Sequence, residues 1–303
     1  MRLWDDTWPA MRQEAHHGDR VVTCFAKRWH SLHDMLAQAV ERNAHGVALV
    51  CDGQRMTYRE LQHASQALAG ALHAHGVGEG DRVALLLGNR IEFVVALFAA
   101  TQIGAITVPL SIREQKPGLA YALSHCAAVC VLHEADLADL LPAPSEMPQL
   151  RHRVSMAACA GSALYADWQA HAPFAGVTPV QEEDTAVILY TSGTTGRPKG
   201  AMLTHMSLVH SSMHYQIAMG LGAQDNSVAT VPLSHVTGLV ALITTMVLSA
   251  GKLVIMPQFK AAAFLQLAQR ERMTHTLMVP AMYNLCMLCS EFDDIDLSSW
   301  RVG

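Results

Sequence analysis

No run of basic residues interrupts this 303-residue chain, and its 21 Lys and Arg are outnumbered by 26 Asp and Glu, a formal charge of −5 with neutral histidines. A nucleic acid would find no electrostatic footprint on it. Charged residues are scarce at 16% while hydrophobic ones reach 51%, which excludes a disordered chain and allows a large core. Uninterrupted apolar runs of membrane-spanning length are missing too. Phe93 to Ile112 carries no charge but is broken by Gln102, Gly104 and Pro109, and Asn226 to Gly251 is broken by Pro232, His235 and Gly238. Both read as buried helix and strand pieces, with no transmembrane segment. The seven cysteines are odd in number and make no disulfide-like framework, and no signal peptide opens the chain. A reducing, cytoplasmic setting is the expectation.

What is present alternates between helical and strand-like patterns. "SLHDMLAQAVERN" places Leu32, Met35, Leu36, Ala39 and Val40 on one helical face. Thr57 and Glu60 are spaced as a capping box ahead of a long helix that Gly76 stops. "DRVALLLGN" reads as a strand buried on both faces, "IEFVVALFAATQIG" as a helix, and "AITVPLS" and "AAVCVLH" as further strands. Five of the twelve prolines fall between Pro142 and Pro179, which reads as a loose connection. Beyond it "TAVILY", "SVATVPL", "KLVIMP" and "THTLMVP" are strand-like, and "AAAFLQLAQRER" and "AMYNLCMLCSEF" helical. The expected fold class is α/β, as two subdomains with largely parallel sheets flanked by helices, spanning 1–178 and 179–303.

The most distinctive stretch is "YTSGTTGRPKGAMLTH", Tyr190 to His205, between an apolar run and a helical pattern. It is not a Walker A loop, because Pro198 and Ala201 stand where the second glycine of G-x-x-x-x-G-K-[ST] is required. The ingredients are nonetheless those of a phosphate site. Gly193 and Gly196 let backbone N–H groups converge on an anion, and the hydroxyls of Thr191, Ser192, Thr194 and Thr195 can donate to its oxygens. Lys199 adds a mobile cation and Pro198 stiffens the loop before it. A Ser/Thr/Gly loop taken by itself is as readily an empty polar turn.

The eleven ordered positions Tyr190 to Gly200 closely resemble the signature loop of the adenylate-forming, AMP-binding superfamily. That group includes acyl-CoA synthetases, peptide-synthetase adenylation domains and beetle luciferases. The resemblance runs on through "MTYRELQHASQALAGALHAHGVGEGDRVALLLGN", "GAITVPLS", "VPLSHVTGL", "THTLMVPAMYNLCM" and "IDLSSWRVG", and is most like the N-terminal portion of a long-chain fatty-acid–CoA ligase. It implies attack of a carboxylate on the α-phosphate of ATP, giving acyl-adenylate and pyrophosphate, then transfer of the acyl group to CoA. It implies that Thr191, Ser192, Gly193, Thr194, Thr195, Gly196 and Lys199 hold the phosphates. His235 would border the carboxylate, the α-phosphate and the acyl pocket. Alone, His235 is as readily a core histidine at a strand end; inside "PLSHVTGL" the functional reading prevails.

The chain departs from the family at Ser234, where acyl-CoA synthetases often carry an aromatic residue, so the shape of the acyl pocket is open. "GLVALITTMVLSAG" either walls an acyl tunnel or is plain core. By resemblance the adenine, ribose and Mg²⁺ ligands and a catalytic lysine lie beyond Gly303. This predicts a truncated ligase, inactive alone, that self-associates through its second half. The alternatives are an adenylating enzyme that loads a carrier protein, and a non-catalytic phosphate-binding or interaction fragment. Cys286 with Cys289, Cys126 with Cys130, and His210 with His214 have metal-like spacings but lack companion ligands, so core packing or solvated helix positions are expected instead.

Overall fold

The computed structural model describes residues 8–191 and 197–303. The chain opens with an antiparallel hairpin of β1 (Met11–His16) and β2 (Arg20–Phe25), which sequence patterning did not indicate. Helix α1 (Leu32–Asn43) follows; its Ser31 cap accepts from Asp34 N, and Leu32, Met35, Leu36 and Ala39 are buried as their spacing predicts. A second hairpin, β3 (Val47–Cys51) with β4 (Gln54–Thr57), leads into α2 (Tyr58–Ala74). The expected capping box is complete there, with Thr57 Oγ1 accepting from Glu60 N and the Glu60 carboxylate accepting from Thr57 N.

Then come β5 (Arg82–Leu86), α3 (Ile91–Gln102), β6 (Ile106–Pro109), α4 (Lys116–His125), β7 (Ala128–His133), β8 (His152–Ser155), β9 (Ala163–Leu164) and the short α5 (Tyr165–Gln169). Beyond the proline-rich connection lie β10 (Thr185–Thr191), β11 (Lys199–Thr204), α6 (His205–Met219) and β12 (Asn226–Ala229). A π-helix over Thr237–Thr244 runs into α7 (Thr245–Ser249), followed by β13 (Lys252–Ile255), α8 (Ala261–Arg270), β14 (His275–Thr276) and α9 (Pro280–Met287).

The strands make one seven-stranded sheet, β11-β10-β6-β5-β7-β8-β9, and one five-stranded sheet, β14-β12-β13-β3-β4. Both are parallel except at the hairpin pairs β10–β11 and β3–β4. The fold class is thus the expected one. Sheet membership, however, crosses the expected boundary at 178 and 179. Strands β3 and β4 belong to the five-stranded sheet with β12, β13 and β14, and β10 and β11 complete the seven-stranded sheet. Which partner a strand takes is decided by packing across the whole chain, not by local pattern.

Alternation along the strands separates the layers. Val83 and Leu85 of β5 join the same core as Leu253 and Ile255 of β13, together with α1, α2, α3 and the helices around α7. Ala84 and Leu86 face the other way, onto α4, while Val254 faces α8. The order is therefore helix, sheet, central helices, sheet, helix. Every α3 residue except Glu92 is buried, which accounts for its all-round apolar sequence. "THTLMVP" yields only a two-residue strand, in which His275 and Thr276 pair with β12, and its outer neighbour touches it at a single bridge, His275 to Val302. Leu285, Met287 and Leu288 of the α9 region are exposed. Among the described residues no helix is long and apolar enough to cross a membrane.

Two contacts tie segments that are distant in sequence. Asn89, in the turn after β5, donates through Nδ2 to Val231 O (3.0 Å) and Met256 O (3.1 Å) and accepts from Leu233 N (2.9 Å), so one side chain past the carboxyl end of the seven-stranded sheet's central strand holds the exits of β12 and β13. Asn89→Ala should leave two carbonyls and an N–H without these partners and lower unfolding free energy by roughly 2–3 kcal/mol, read by urea denaturation. The second contact is His205, buried at the start of α6, whose Nδ1 accepts from Leu32 N at 3.3 Å. Burial pulls its pKa down to about 4, against an upward pull from Asp184 and Asp34. Between that value and the ordinary ~6.5 the unfolded chain holds the extra proton, so stability falls as pH falls through this window. The urea midpoint should drop from pH 7 to pH 5, and less steeply in His205→Gln. Equal slopes in the two proteins would remove His205 from this account.

Candidate active site

The loop of interest joins β10 to β11. The sequence suggests that it feeds directly into a helix; instead the chain returns as the edge strand β11 before α6 begins. Ser192, Gly193, Thr194, Thr195 and Gly196 lie outside the described residues. Thr191 and Lys199 are direct partners in the antiparallel register, so their side chains leave the same face of the hairpin, and both are exposed. A hydroxyl and an ammonium thus flank the mouth of the loop. The whole hairpin Thr185–Thr204 carries Arg197 and Lys199 and no carboxylate.

His235 sits in the turn between β12 and the π-helix. Its N–H donates to Pro232 O (3.1 Å) and its carbonyl accepts from Leu239 N (2.9 Å), so it stands at the first helical turn with an exposed side chain. It is not a core histidine. The turn depends on Gly238, because a Cβ there would lie 2.3 Å from Pro232 O and 2.8 Å from Leu233 Cα. The helix that follows is a π-helix, a form that recurs at functional sites. Leu239, Val240, Leu242 and Ile243 are core, and Val240 together with Val236 and Thr237 also lines a slot of about 190 Å³ shared with Leu203, Ser207 and Tyr215. The apolar stretch is therefore both core and cavity wall.

A larger crevice of about 790 Å³ opens where the carboxyl ends of both sheets meet. Asn89 follows β5, Ser111 and Arg113 follow β6, and Pro232 and Ser234 follow β12; all line it. Ligands of open α/β sheets bind at such carboxyl ends. Thr191 ends the strand next to β6, and His235 directly follows the lining residue Ser234, but Thr191, Lys199 and His235 are not themselves part of the crevice lining. Among the described residues no hydrogen bond links His235 to Lys199. The turn carrying Asn89 is itself braced. Glu134 accepts from Gly88 N (3.1 Å) and pairs with Arg90 (2.6 Å), which also holds Glu92 (2.8 Å). Burial pushes the Glu92 carboxyl up, but its bonds to Arg90 outweigh this and hold it below its usual range. Sequence reasoning missed Asn89, Arg90 and Glu134; the only local signal was a polar "GNR" at a strand exit.

Other groupings lie away from the crevice. An opening of about 990 Å³ on the outer face of the five-stranded sheet is rich in cations, but Arg55 and Lys252 are paired with the buried Glu271. Glu14, His16 and Cys24 come within 4.8 Å of one another. Arg28 bonds both Glu14 oxygens (2.9 and 2.7 Å) and also Glu182 (2.6 Å), so this cluster is an ion-pair network tying the first hairpin to the segment before β10. All seven cysteines are free. His210 is half-buried against the Phe25 ring at 5.0 Å, not solvated as its spacing suggests.

A family model described as AMP-binding enzyme matches residues 36–303. Feruloyl-CoA synthase of Amycolatopsis sp is 33% identical over 85% of this chain and 50% of its own length. The medium-chain fatty-acid–CoA ligase of Escherichia coli K12 is 31% identical over 89% of this chain and 50% of its own. Among solved structures, the inhibitor-bound N-terminal domain of FACL13 from Mycobacterium tuberculosis superposes with a TM-score of 0.83 at 27% identity, covering 90% of this chain and 68% of that one. The chain spans about half the length of the full-length relatives.

The exposure of His235 yields a clean test. His235→Ala should change unfolding free energy by no more than about 0.5 kcal/mol, as exposed positions do. If the residue borders reacting groups, substrate turnover by the intact enzyme should still fall by an order of magnitude or more. A parallel loss of melting temperature and activity would return His235 to a packing role.

Proposed function

The chain belongs to the AMP-binding enzyme family, and on that premise we propose that it serves the ATP-dependent activation of a carboxylic acid, with transfer of the acyl group to CoA. The observation that supports this reading is that the Thr191–Lys199 pair ends strands of one sheet while Pro232 and Ser234, next to His235, line a crevice at the carboxyl ends of the strands.

In the first step a carboxylate oxygen attacks the α-phosphorus of ATP. A new P–O bond forms, the bridging α–β bond breaks, and pyrophosphate leaves with the electron pair. Negative charge grows on the leaving group. Thr191, Lys199 and, through the loop between them, Ser192 to Gly196 are the groups proposed to meet it, since fixed donors aimed at developing charge lower such barriers. His235 is proposed to hold the incoming carboxylate against the α-phosphate, where positioning alone contributes much of the rate. The hairpin suits phosphate oxygens and offers Mg²⁺ no carboxylate, although the ion supplies charge neutralisation when bound to the triphosphate. In the second step the CoA sulfur attacks the acyl carbon, AMP leaves, and the thiol proton is released.

The acid is proposed to be apolar and probed by the slot beside Val236 and Val240, whose lining from β11, α6 and the π-helix carries no charged side chain. Ser234, where acyl-CoA synthetases often carry an aromatic residue, lines the crevice next to His235. A fatty acid fits this chemistry, and the relatives named above act on aromatic and fatty acids alike.

The test uses the intact ligase. Acid-dependent exchange of labelled pyrophosphate into ATP should be present across a panel of aliphatic and aromatic acids, and Lys199→Ala should reduce it at least tenfold, as expected for loss of one phosphate-directed cation. Silence of the wild-type enzyme with every acid would end the ligase reading.

A further inference from the structure

Both ends of the phosphate loop are fastened to helix α4. We propose that Tyr121, His125 and Tyr190 form an aromatic bracket that sets the position of Lys199 and Thr191, acting as positioning residues for the phosphates. The inference deepens the functional reading above and rests on it.

Helix α4 is a firm anchor. Leu119, Ala122 and Leu123 are buried on the outer face of the seven-stranded sheet, in a core that Ile188 and Tyr190 of β10 also join. From the exposed side of this helix, Tyr121 Oη donates to Pro198 O at 3.2 Å. Tyr190 Oη donates to Ala122 O at 3.1 Å and lies 2.8 Å from His125 Nδ1. A phenol has one proton, and here it goes to the carbonyl. His125 Nδ1 must then carry hydrogen and donate to the phenol oxygen, which selects the Nδ1–H tautomer of the neutral ring. The rings also pack. Tyr121 stacks on His125, one helical turn away, at 5.2 Å, and Tyr190 meets both edge-on at 6.5 and 5.9 Å.

The geometry is economical along the chain. Tyr190 immediately precedes Thr191, and Pro198 immediately precedes Lys199. Each fastening therefore sits one residue from a group assigned to the phosphates, one on each strand of the hairpin. Gly200 faces Tyr190 across the ladder, and a Cβ there would come within 3.5 Å of Tyr190 Cζ and 2.8 Å of Ile188 Cγ2, so the missing side chain leaves the ring its place. The fastening is needed because β11 is an edge strand with a ladder partner on one side only. Tyr121 gives its loop end a second support from outside the sheet.

The test compares Tyr121→Phe and His125→Ala with wild type, using His125→Asn as the conservative variant whose amide can donate in place of Nδ1–H. In the intact ligase Tyr121→Phe should raise KM for ATP about fivefold, the effect of one ordinary hydrogen bond, with KM for the acid and the melting temperature unchanged. His125→Ala should do the same and His125→Asn should restore part of the loss. Independently of turnover, amide hydrogen exchange at Lys199 and Gly200 in the 303-residue chain should accelerate in Tyr121→Phe and His125→Ala. Unchanged exchange at those amides overturns the bracket, even where the wild-type ligase is active. Faster exchange supports it, even if the ligase reading itself fails for want of pyrophosphate exchange. A rise in KM for the acid equal to that for ATP would also overturn it, since that marks general damage and not placement of the phosphate groups.

Discussion

The three hydrogen bonds of the Asn89 side chain are the constraint on which the geometry of the crevice depends. Two sheets in separate layers have no backbone ladder between them. Their carboxyl ends face one another only if something fixes the distance, and a primary amide is well suited to do so. It offers donors and an acceptor on one short, rigid group. Here both carbonyls belong to strand exits of the five-stranded sheet, and the N–H belongs to Leu233, in the turn that carries His235. Arg90 and Glu134 brace the Gly88–Asn89 turn from behind. A change in that brace thus reaches His235 through backbone alone, without touching its ring.

Much of the fold is legible in the sequence because it follows from local physics. The Thr57–Glu60 box, the buried face of α1 and the all-apolar α3 are each specified within a few residues, and each forms as its pattern implies. The strand pairings are not legible in this way. Nothing within β3 and β4 says that they join β12 and β13 from nearly two hundred positions away, and nothing in "KGAMLT" distinguishes an edge strand from the start of a helix. The short β14 is a similar case: its sequence suits a longer strand, but only His275 and Thr276 pair with β12.

The candidate site divides along the same line. The residues that touch substrates in the proposed reaction announce themselves as motifs, because chemistry constrains their types and spacing. His235 was ambiguous only as to burial, which is a property of the surroundings; its exposure comes from the turn that Gly238 permits. The supporting residues give no such signal. Asn89 and Tyr121 work by bonding backbone carbonyls of remote segments, and a carbonyl is available at every residue; His125 works through the phenol oxygen of Tyr190, 65 positions away. No sequence pattern singles out which one will be met.

The interleaving of the two sheets bears on how the chain is made. A ribosome releasing the first 178 residues has delivered β3 and β4 without β13, and β5 to β9 without β10. The seven-stranded sheet waits for β10 and β11 and the five-stranded sheet for β12 to β14, so contacts of large sequence separation are many, and high contact order slows folding. The nascent N-terminal part meanwhile presents open strand edges and the apolar α3 to its surroundings. Circular permutation or a split at the proline-rich connection would tear both layers at once, although that connection is the stretch whose composition most invites a cut. In this protein sheet membership does not follow the proline-rich seam.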